Sequence, residues 1–352
     1  MKIVTVLGAR PQFIKAAVVS SKLRLEHQEI LIHTGQHYDK NMSDVFFHEL
    51  NIPMPDYNLN ISGGAHGQMT GKMLAATEEV LLKERPDALL VYGDTNSTLA
   101  GALAAVKLHI PVCHVEAGVR FGTLHNPEEV NRVLTDRISS KLFCPSEFSV
   151  QNLKCEGITE GVCLTGDPMY DAFLQYSKQV QPLTKLMTLT GCYINMPAKY
   201  YYLTCHREEN SNKTALSEVF KAMSQLDAPV IYPVHPRNTA LVKHIENSNM
   251  ILINPIGYIE SLAILNGCEK VITDSGGLQR EAFWAKKQCI TLLEHKLWAE
   301  THIGNRNQLS ACKSEEILKK LSNTMTIDEN YQPYGNGNAA KLIINSFSNE
   351  RV

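Results

Sequence analysis

Asp274-Ser275-Gly276-Gly277-Leu278-Gln279-Arg280-Glu281 has the composition of a turn that admits a phosphate. It follows an apolar run and opens a helical pattern. Small residues there let an anion approach the backbone N–H groups at a helix N-terminus, where the helix dipole favours negative charge. A diphosphate fits this place, and Glu281, about one helical turn further on, can accept hydrogen bonds from the two hydroxyls of a ribose. Without that acid the same residues would serve equally well as a plain helix cap. Gly8-Ala9-Arg10-Pro11-Gln12-Phe13-Ile14-Lys15 makes a second strand-to-helix turn. Arg10 offers a bidentate fork for a phosphate, and Lys15 offers a point charge one turn into the helix, unless it is merely a surface charge.

Asp94 and Glu116 end neighbouring apolar runs, and Asn126-Pro127-Glu128-Glu129 begins the next helical pattern. Pro127 suits the first helical position, and Glu129 suits the third position of a capping box behind Asn126. Glu128 is not needed for the cap. Its clustering with Asp94 and Glu116 would raise some carboxyl pKa values through repulsion and desolvation, and mixed protonation is what acid–base chemistry requires. Each acid alone reads as structural; together at strand ends they favour catalysis. His206, flanked by Arg207 and Glu208, is placed to meet a sugar phosphate from an opposite wall, and His235 sits in the next such loop as a further substrate-binding candidate.

Other chemistries lack their residues. The Gly8 to Lys15 turn matches neither G-x-x-x-x-G-K-[ST] nor G-x-G-x-x-G, so it is neither a P-loop nor a dinucleotide fingerprint. His114-x-Glu116 has no P-C-x-x-C to complete a deaminase zinc site, and no metal is expected. No G-x-S-x-G elbow accompanies the histidines.

The elements that must position these residues are strands and helices in alternation. Lys2 to Leu7, Glu29 to Thr34, Ala88 to Tyr92 and Pro111 to Val115 read as strands, each followed by a helix-compatible stretch. After a polar, loop-like region at 177–198 the rhythm restarts with Tyr200 to Thr204, Val230 to Val234, Ile251 to Asn254, Val271 to Thr273 and Cys289 to Leu292. Such alternation predicts two parallel sheets with helices on both faces, an α/β fold of two Rossmann-like domains. The expected division is residues 1–170 for a domain carrying the acids and 171–335 for a nucleotide-binding domain. A terminal helix within 336–352 is expected to pack back across the boundary. Ligands of parallel sheets lie outside the carboxyl ends of the strands, so two such rims facing each other would enclose an interdomain site.

Bulk properties agree with this picture. A length of 352 residues suits two domains of roughly 100 to 200 residues each. A formal charge of −2 gives no field to recruit nucleic acid or an anionic membrane, and no apolar stretch is long enough to insert in one. The nine cysteines include no C-x-x-C pair, which predicts buried thiols in a reducing, cytoplasmic setting.

In order, G-A-R-P-Q-F-I-K, T-G-Q-H, Y-G-D-T-N-S-T, H-V-E-A-G-V-R, N-P-E-E-V-N-R, C-H-R-E-E-N and T-D-S-G-G-L-Q-R-E-A resemble the UDP-N-acetylglucosamine 2-epimerase family of the bacterial non-hydrolysing type. The resemblance runs from Ile3 to about Glu300. It implies the GT-B architecture, a homodimer, a UDP-sugar substrate, and no redox cofactor or catalytic metal. By motif it implies catalytic roles for Asp94, Glu116, Glu128 and His206. Arg10, Ser275, Gly276, Gly277 and Glu281 match UDP-binding positions, with Lys15 as an active-site partner. The implied reaction removes the C2 proton as UDP leaves C1, giving a glycal to which UDP returns after reprotonation on the other face.

Several features depart from the plain UDP-N-acetylglucosamine enzymes. Gln12 stands where many relatives have Glu, and the Glu116 to Glu128 spacing is shorter. Together with Gln36-His37-Tyr38-Asp39 these resemble relatives acting on UDP-2,3-diacetamido-2,3-dideoxy-glucuronic acid. Tyr38 replaces the arginine of relatives regulated by a second UDP-sugar, and Leu293-Glu294-His295-Lys296-Leu297-Trp298 alters one wall of the UDP pocket. A hydrolysing epimerase, a GT-B glycosyltransferase and a catalytically silent nucleotide-sugar sensor are the competing readings.

Overall fold

A computed structural model describes residues 1–36, 47, 49–244 and 249–348. His37, Tyr38 and Asp39 of the sequence reading lie outside the described residues. The chain divides into two compact units, Met1–Leu174 with Gln332–Val352, and Gln175–Tyr331.

The first unit follows the expected alternation. Its elements are β1 (Lys2–Leu7), α1 (Arg10–Glu26), β2 (Gln28–His33), β3 (Tyr57–Asn58), α2 (His66–Glu84), β4 (Ala88–Tyr92), α3 (Asn96–Lys107) and β5 (Val112–Val115). There follow α4 (Pro127–Ile138), β6 (Lys141–Cys144), α5 (Glu147–Cys155), β7 (Val162–Leu164) and α6 (Pro168–Ser177), the last of which passes the division. The strands form one parallel sheet in the order β3-β2-β1-β4-β5-β6-β7. β4 reads Ala-Leu-Leu-Val-Tyr and every residue of it is buried, as a central parallel strand covered on both faces demands. β3 and β7 are too short for their composition to mark them in the sequence.

The second unit repeats the plan with β10 (Tyr201–Thr204), α7 (Lys213–Met223), β11 (Val230–Pro233), α8 (Thr239–Val242), β12 (Met250–Ile253), α9 (Tyr258–Gly267), β13 (Lys270–Thr273), α10 (Gly276–Trp284), β14 (Gln288–Thr291), β15 (Asn307–Leu309) and α11 (Ser314–Leu321). The sheet order is β12-β11-β10-β13-β14-β15, all parallel, which is the 3-2-1-4-5-6 order of a Rossmann sheet. The stretch read as a loop, 177–198, holds an antiparallel ribbon of β8 (Lys185–Met187) and β9 (Tyr193–Asn195). Thr188 bridges Ile253 and Leu189 N–H donates to the Leu252 carbonyl at 2.9 Å, so the ribbon covers the β12 edge that would otherwise be open to pairing.

At Gln332 the chain re-enters the first unit. The terminal helix α12 (Ala339–Ser348) buries Ile343, Ile344 and Phe347 and packs on α1. Asp171 of α6 caps it, accepting from the N–H groups of Ala339 at 3.1 Å and Ala340 at 2.8 Å.

Candidate active site

In the first sheet the strand order reverses between β1 and β4, and both loops flanking this point carry candidate site residues. Gly8 is pressed against the start of α3: a Cβ there would meet Ser97 Oγ at 2.1 Å and Thr34 Oγ1 at 2.4 Å. Gln12 stitches the turn. Its Oε1 accepts from the N–H groups of Gly8 at 2.7 Å and Ala9 at 3.0 Å, while its Nε2 donates to the Tyr92 carbonyl at 2.7 Å and to the Thr95 and Thr98 hydroxyls. A glutamate could not make the donor half of this pattern. Arg10, half-buried, is the first residue of α1. Gln36 Oε1 accepts from Ser97 Oγ at 2.7 Å, which ties the T-G-Q-H loop to the start of α3.

Lys15 is not a surface charge. Its ammonium pairs with the Glu116 carboxylate, the two side chains being 2% and 5% exposed. A Cβ on Gly93 would lie 3.7 Å from both Lys15 Nζ and Glu116 Oε1, so the loop after β4 lies against this pair. Glu116 has φ 75°. That left-handed backbone costs a residue with a Cβ on the order of 1 kcal/mol or more. It is held by the N–H groups of Glu116 and Ala117, both of which donate to the Phe143 carbonyl at 3.1 Å.

Asp94 pairs with Arg132, a buried guanidinium one turn beyond Glu128 on α4. Burial opposes that charge, but Asp94 first, then Glu128, Glu116 and Glu129, carry its pKa above the usual arginine value. The acids thus gather around one cation, with Lys15 as a second, where sequence alone had them facing one another. Arg132 closes the N-P-E-E-V-N-R motif, and no local signal in the sequence marks it, because a charge on a helix is more often solvated than buried. Glu129 also differs from expectation. Asn126 Oδ1 does cap α4, accepting from Glu128 N–H at 2.8 Å, but Asn126 N–H donates to the Thr123 carbonyl. The Glu129 carboxylate instead accepts from the N–H groups of Phe121 at 2.7 Å and Gly122 at 2.9 Å, fixing the loop before the helix.

His114, fully buried on β5, lies 2.7 Å from Asp136 Oδ1 through Nδ1 and 2.7 Å from the Gly93 carbonyl through Nε2. Both ring nitrogens are committed, so this histidine clamps the Asp94 loop to α4 and has no nitrogen left for a substrate. Asp136 accepts further bonds from Arg120 at 2.7 Å and Gly118 N–H at 3.0 Å. Burial would raise its pKa, yet His114 and Arg120 hold it below the usual aspartate value.

The second sheet reverses between β10 and β13, and again both flanking loops carry candidate site residues. Asp274, fully buried, receives the N–H groups of His206 and Arg207 on Oδ2, each at 2.8 Å, while its Oδ1 lies 3.0 Å from His206 Nδ1. Burial pushes its pKa up, but His206 and these bonds win and bring it to about 2. The His206 side chain remains 40% exposed. Its ring stacks on that of His235, centroids 5.7 Å apart, and Arg237 donates to the His206 carbonyl at 3.0 Å. The loops after β10, β11 and β13 are therefore one hydrogen-bonded body.

Ser275 caps α10, its hydroxyl accepting from Leu278 N–H at 3.3 Å. The Gly276 and Gly277 N–H groups belong to the first turn, which has no intrahelical acceptor for them. A Cβ on Gly276 would be 3.6 Å from Leu297 Cδ2 and from Trp298 Nε1, so the stretch that departs from the family pattern lines this turn. The Arg280 guanidinium lies 3.8 Å over the Trp298 ring. Glu281 is 4% exposed, which excludes a merely solvated glutamate. Among the described residues no group of three or more His, Cys, Asp or Glu could hold a metal ion. No described helix is long and apolar enough to cross a membrane.

Comparison with known proteins places the whole chain in a family. The family model described as UDP-N-acetylglucosamine 2-epimerase matches residues 21–348. A UDP-N-acetylglucosamine 2-epimerase homolog of Methanococcus maripaludis is 46% identical over 99% of this chain and all of its own. The UDP-2,3-diacetamido-2,3-dideoxy-D-glucuronate 2-epimerase of Pseudomonas aeruginosa is 42% identical over 97% of this chain and 98% of its own. The crystal structure of the Methanocaldococcus jannaschii UDP-GlcNAc 2-epimerase in complex with UDP-GlcNAc and UDP matches with a TM-score of 0.88 and 38% identity, over 99% of this chain and all of that one. Two parallel Rossmann-like sheets of the GT-B class, the motifs at their switch points and these full-length matches agree: the chain belongs to the UDP-N-acetylglucosamine 2-epimerase family.

Proposed function

We propose that the protein is a non-hydrolysing 2-epimerase, an isomerase that inverts C2 of a UDP-linked N-acetylated sugar by elimination and re-addition of UDP. The observation that carries this reading is the set of Asp94, Glu116 and Glu128 around buried Arg132, with Lys15 on Glu116. A GT-B glycosyltransferase has no need of such a set. Inversion requires a proton to leave one face of C2 and another to arrive on the opposite face, so two positioned acid–base groups are the minimum. Asp94, Glu116 and Glu128 exchange the C2 proton. Arg10, His206 and the amides of the Ser275 to Gly277 turn hold UDP as it leaves C1, each charged hydrogen bond contributing roughly 1.5 to 3 kcal/mol. Glu281 binds the ribose, and His235 supports His206 beside the diphosphate. Keeping UDP in place is what allows re-addition rather than hydrolysis.

Gln12, the short Glu116 to Glu128 spacing and the substrate named for the Pseudomonas aeruginosa relative favour UDP-2,3-diacetamido-2,3-dideoxy-glucuronate. UDP-N-acetylglucosamine, named for the Methanocaldococcus jannaschii relative, is the second reading. The enzyme works as a cytoplasmic homodimer. Incubation with each UDP-sugar in D2O, followed by NMR, tests the reaction and the substrate. The expected result is deuterium at C2 and the manno epimer with UDP still attached. Free UDP and sugar would point to a hydrolysing epimerase, transfer dependent on an acceptor to a glycosyltransferase, and an unlabelled C2 to a sensor.

A further inference from the structure

Two histidines of this protein lie against buried aspartates, His114 against Asp136 and His206 against Asp274, and they differ in one respect. In His114–Asp136 the second ring nitrogen is consumed by the Gly93 carbonyl. In His206–Asp274 the ring approaches the carboxylate through Nδ1, 3.0 Å from Oδ1, no hydrogen bond of Nε2 occurs among the described residues, and the ring is 40% exposed. A carboxylate at Nδ1 fixes the proton there in the neutral ring, so Nε2 becomes the nitrogen that holds or moves a proton. We propose that Asp274 is the positioning residue of His206: it orients the ring so that Nε2 faces the substrate diphosphate, and it locks that histidine to the phosphate turn.

The lock is visible in the bonds of one residue. Asp274 Oδ2 gathers the His206 and Arg207 N–H groups, Arg207 Nε donates to the Asp274 carbonyl at 2.9 Å, and Ser275 follows directly in the chain. Asn210 Nδ2 also reaches Oδ2, at 3.3 Å, and donates to the Leu292 carbonyl at 3.0 Å, which anchors the carboxylate to the end of β14. The groups facing the ring are Asp274 from β13 and His235 from β11, with Arg237 on its carbonyl. The inference rests on the reading that His206 meets the diphosphate, but its orientation can be measured apart from that reading.

Asp274→Asn separates the two. An amide has one oxygen, and the two backbone N–H groups claim it. The amide NH2 then faces Nδ1 and forces the neutral ring to carry its proton on Nε2, the tautomer error that an asparagine makes in the serine-protease triad. In the full chain labelled with ¹⁵N-histidine, the His206 resonances, identified by their loss in His206→Ala, should show Nδ1–H in the wild type and Nε2–H in Asp274→Asn. A wild-type Nε2–H tautomer would overturn the proposal, whether or not the variant folds. Kinetically, Asp274→Asn should lower kcat about 10² to 10⁴-fold, the range of a misplaced acid–base group. The same change should add no further loss in a His206→Ala background; an equal additional loss overturns the proposal. Full activity of His206→Ala would count against the function given to His206, while the tautomer decides Asp274 independently.

Discussion

Lys15 Nζ and Glu116 carry opposite charges into the same buried spot, one from the first helix and the other from the end of the fifth strand. The carboxylate at the centre of the proposed proton transfer is thus held by a cation from the helix that follows β1, a strand two positions from β5 in the sheet. Glu116→Gln keeps the volume and loses the proton acceptor. Turnover is expected to fall about 10² to 10⁴-fold, the usual worth of one acid–base group. Wild-type turnover in this variant would remove Glu116 from the mechanism.

Lys15→Met should destabilise the fold by about 3 to 5 kcal/mol, because it leaves a buried carboxylate without its ammonium. Lys15→Met with Glu116→Gln should recover part of that loss. Urea unfolding of the four proteins in a double-mutant cycle measures the coupling, and strict additivity would mean that the pair contributes nothing.

Gln12→Glu places a carboxylate oxygen against the Tyr92 carbonyl that the amide now serves. The expected cost is about 1 to 3 kcal/mol at neutral pH. It should shrink near pH 4, where a protonated glutamic acid can again donate. Thermal unfolding at the two pH values checks the sign, and an equal cost at both would refute the hydrogen-bond account.

Asp274 and Asp136 predict the course of acid unfolding. Asp274 has a folded pKa of about 2 against about 3.9 for a free aspartate. A carboxyl group depressed in the folded state stabilises above its unfolded pKa, and that contribution is lost as pH falls through the folded value. Stability should therefore drop between about pH 4 and pH 2 by roughly 2 to 3 kcal/mol from this group. Asp136, also held low, acts in the same direction. Asp274→Asn should flatten this part of the profile in a pH series of denaturant melts.

Asp171 ties the last helix to the sixth by accepting from two first-turn N–H groups. Asp171→Ala should cost about 0.5 to 2 kcal/mol, as loss of an N-cap does. Amide hydrogen exchange should rise over 339–348 while the central strands keep their protection; unchanged exchange would show that packing alone holds the helix.

Where the candidate residues stand relative to the strands was largely legible before any coordinates. Strand-end loops declared themselves by polar residues following apolar runs, and Asp94, Glu116 and Ser275 stand just beyond those ends, with Glu281 inside the helix that follows Ser275. Short elements were not legible. The ribbon at 185–195 has strands of only three residues, and its pairing with the edge of the second sheet is a contact with no local signature.

Sequence by itself determined the alternation of strands and helices, the two-sheet plan and the family motifs, because hydrophobic period and turn chemistry act over a few neighbouring residues. Tertiary structure alone decided which charges meet. Lys15, Arg132 and His114 look like ordinary polar residues in the chain, and the fold buries all of them against acids distant in sequence. The physical reason is that burial and pairing of a charge depend on which elements a parallel sheet brings side by side, and that order differs from the order of the chain.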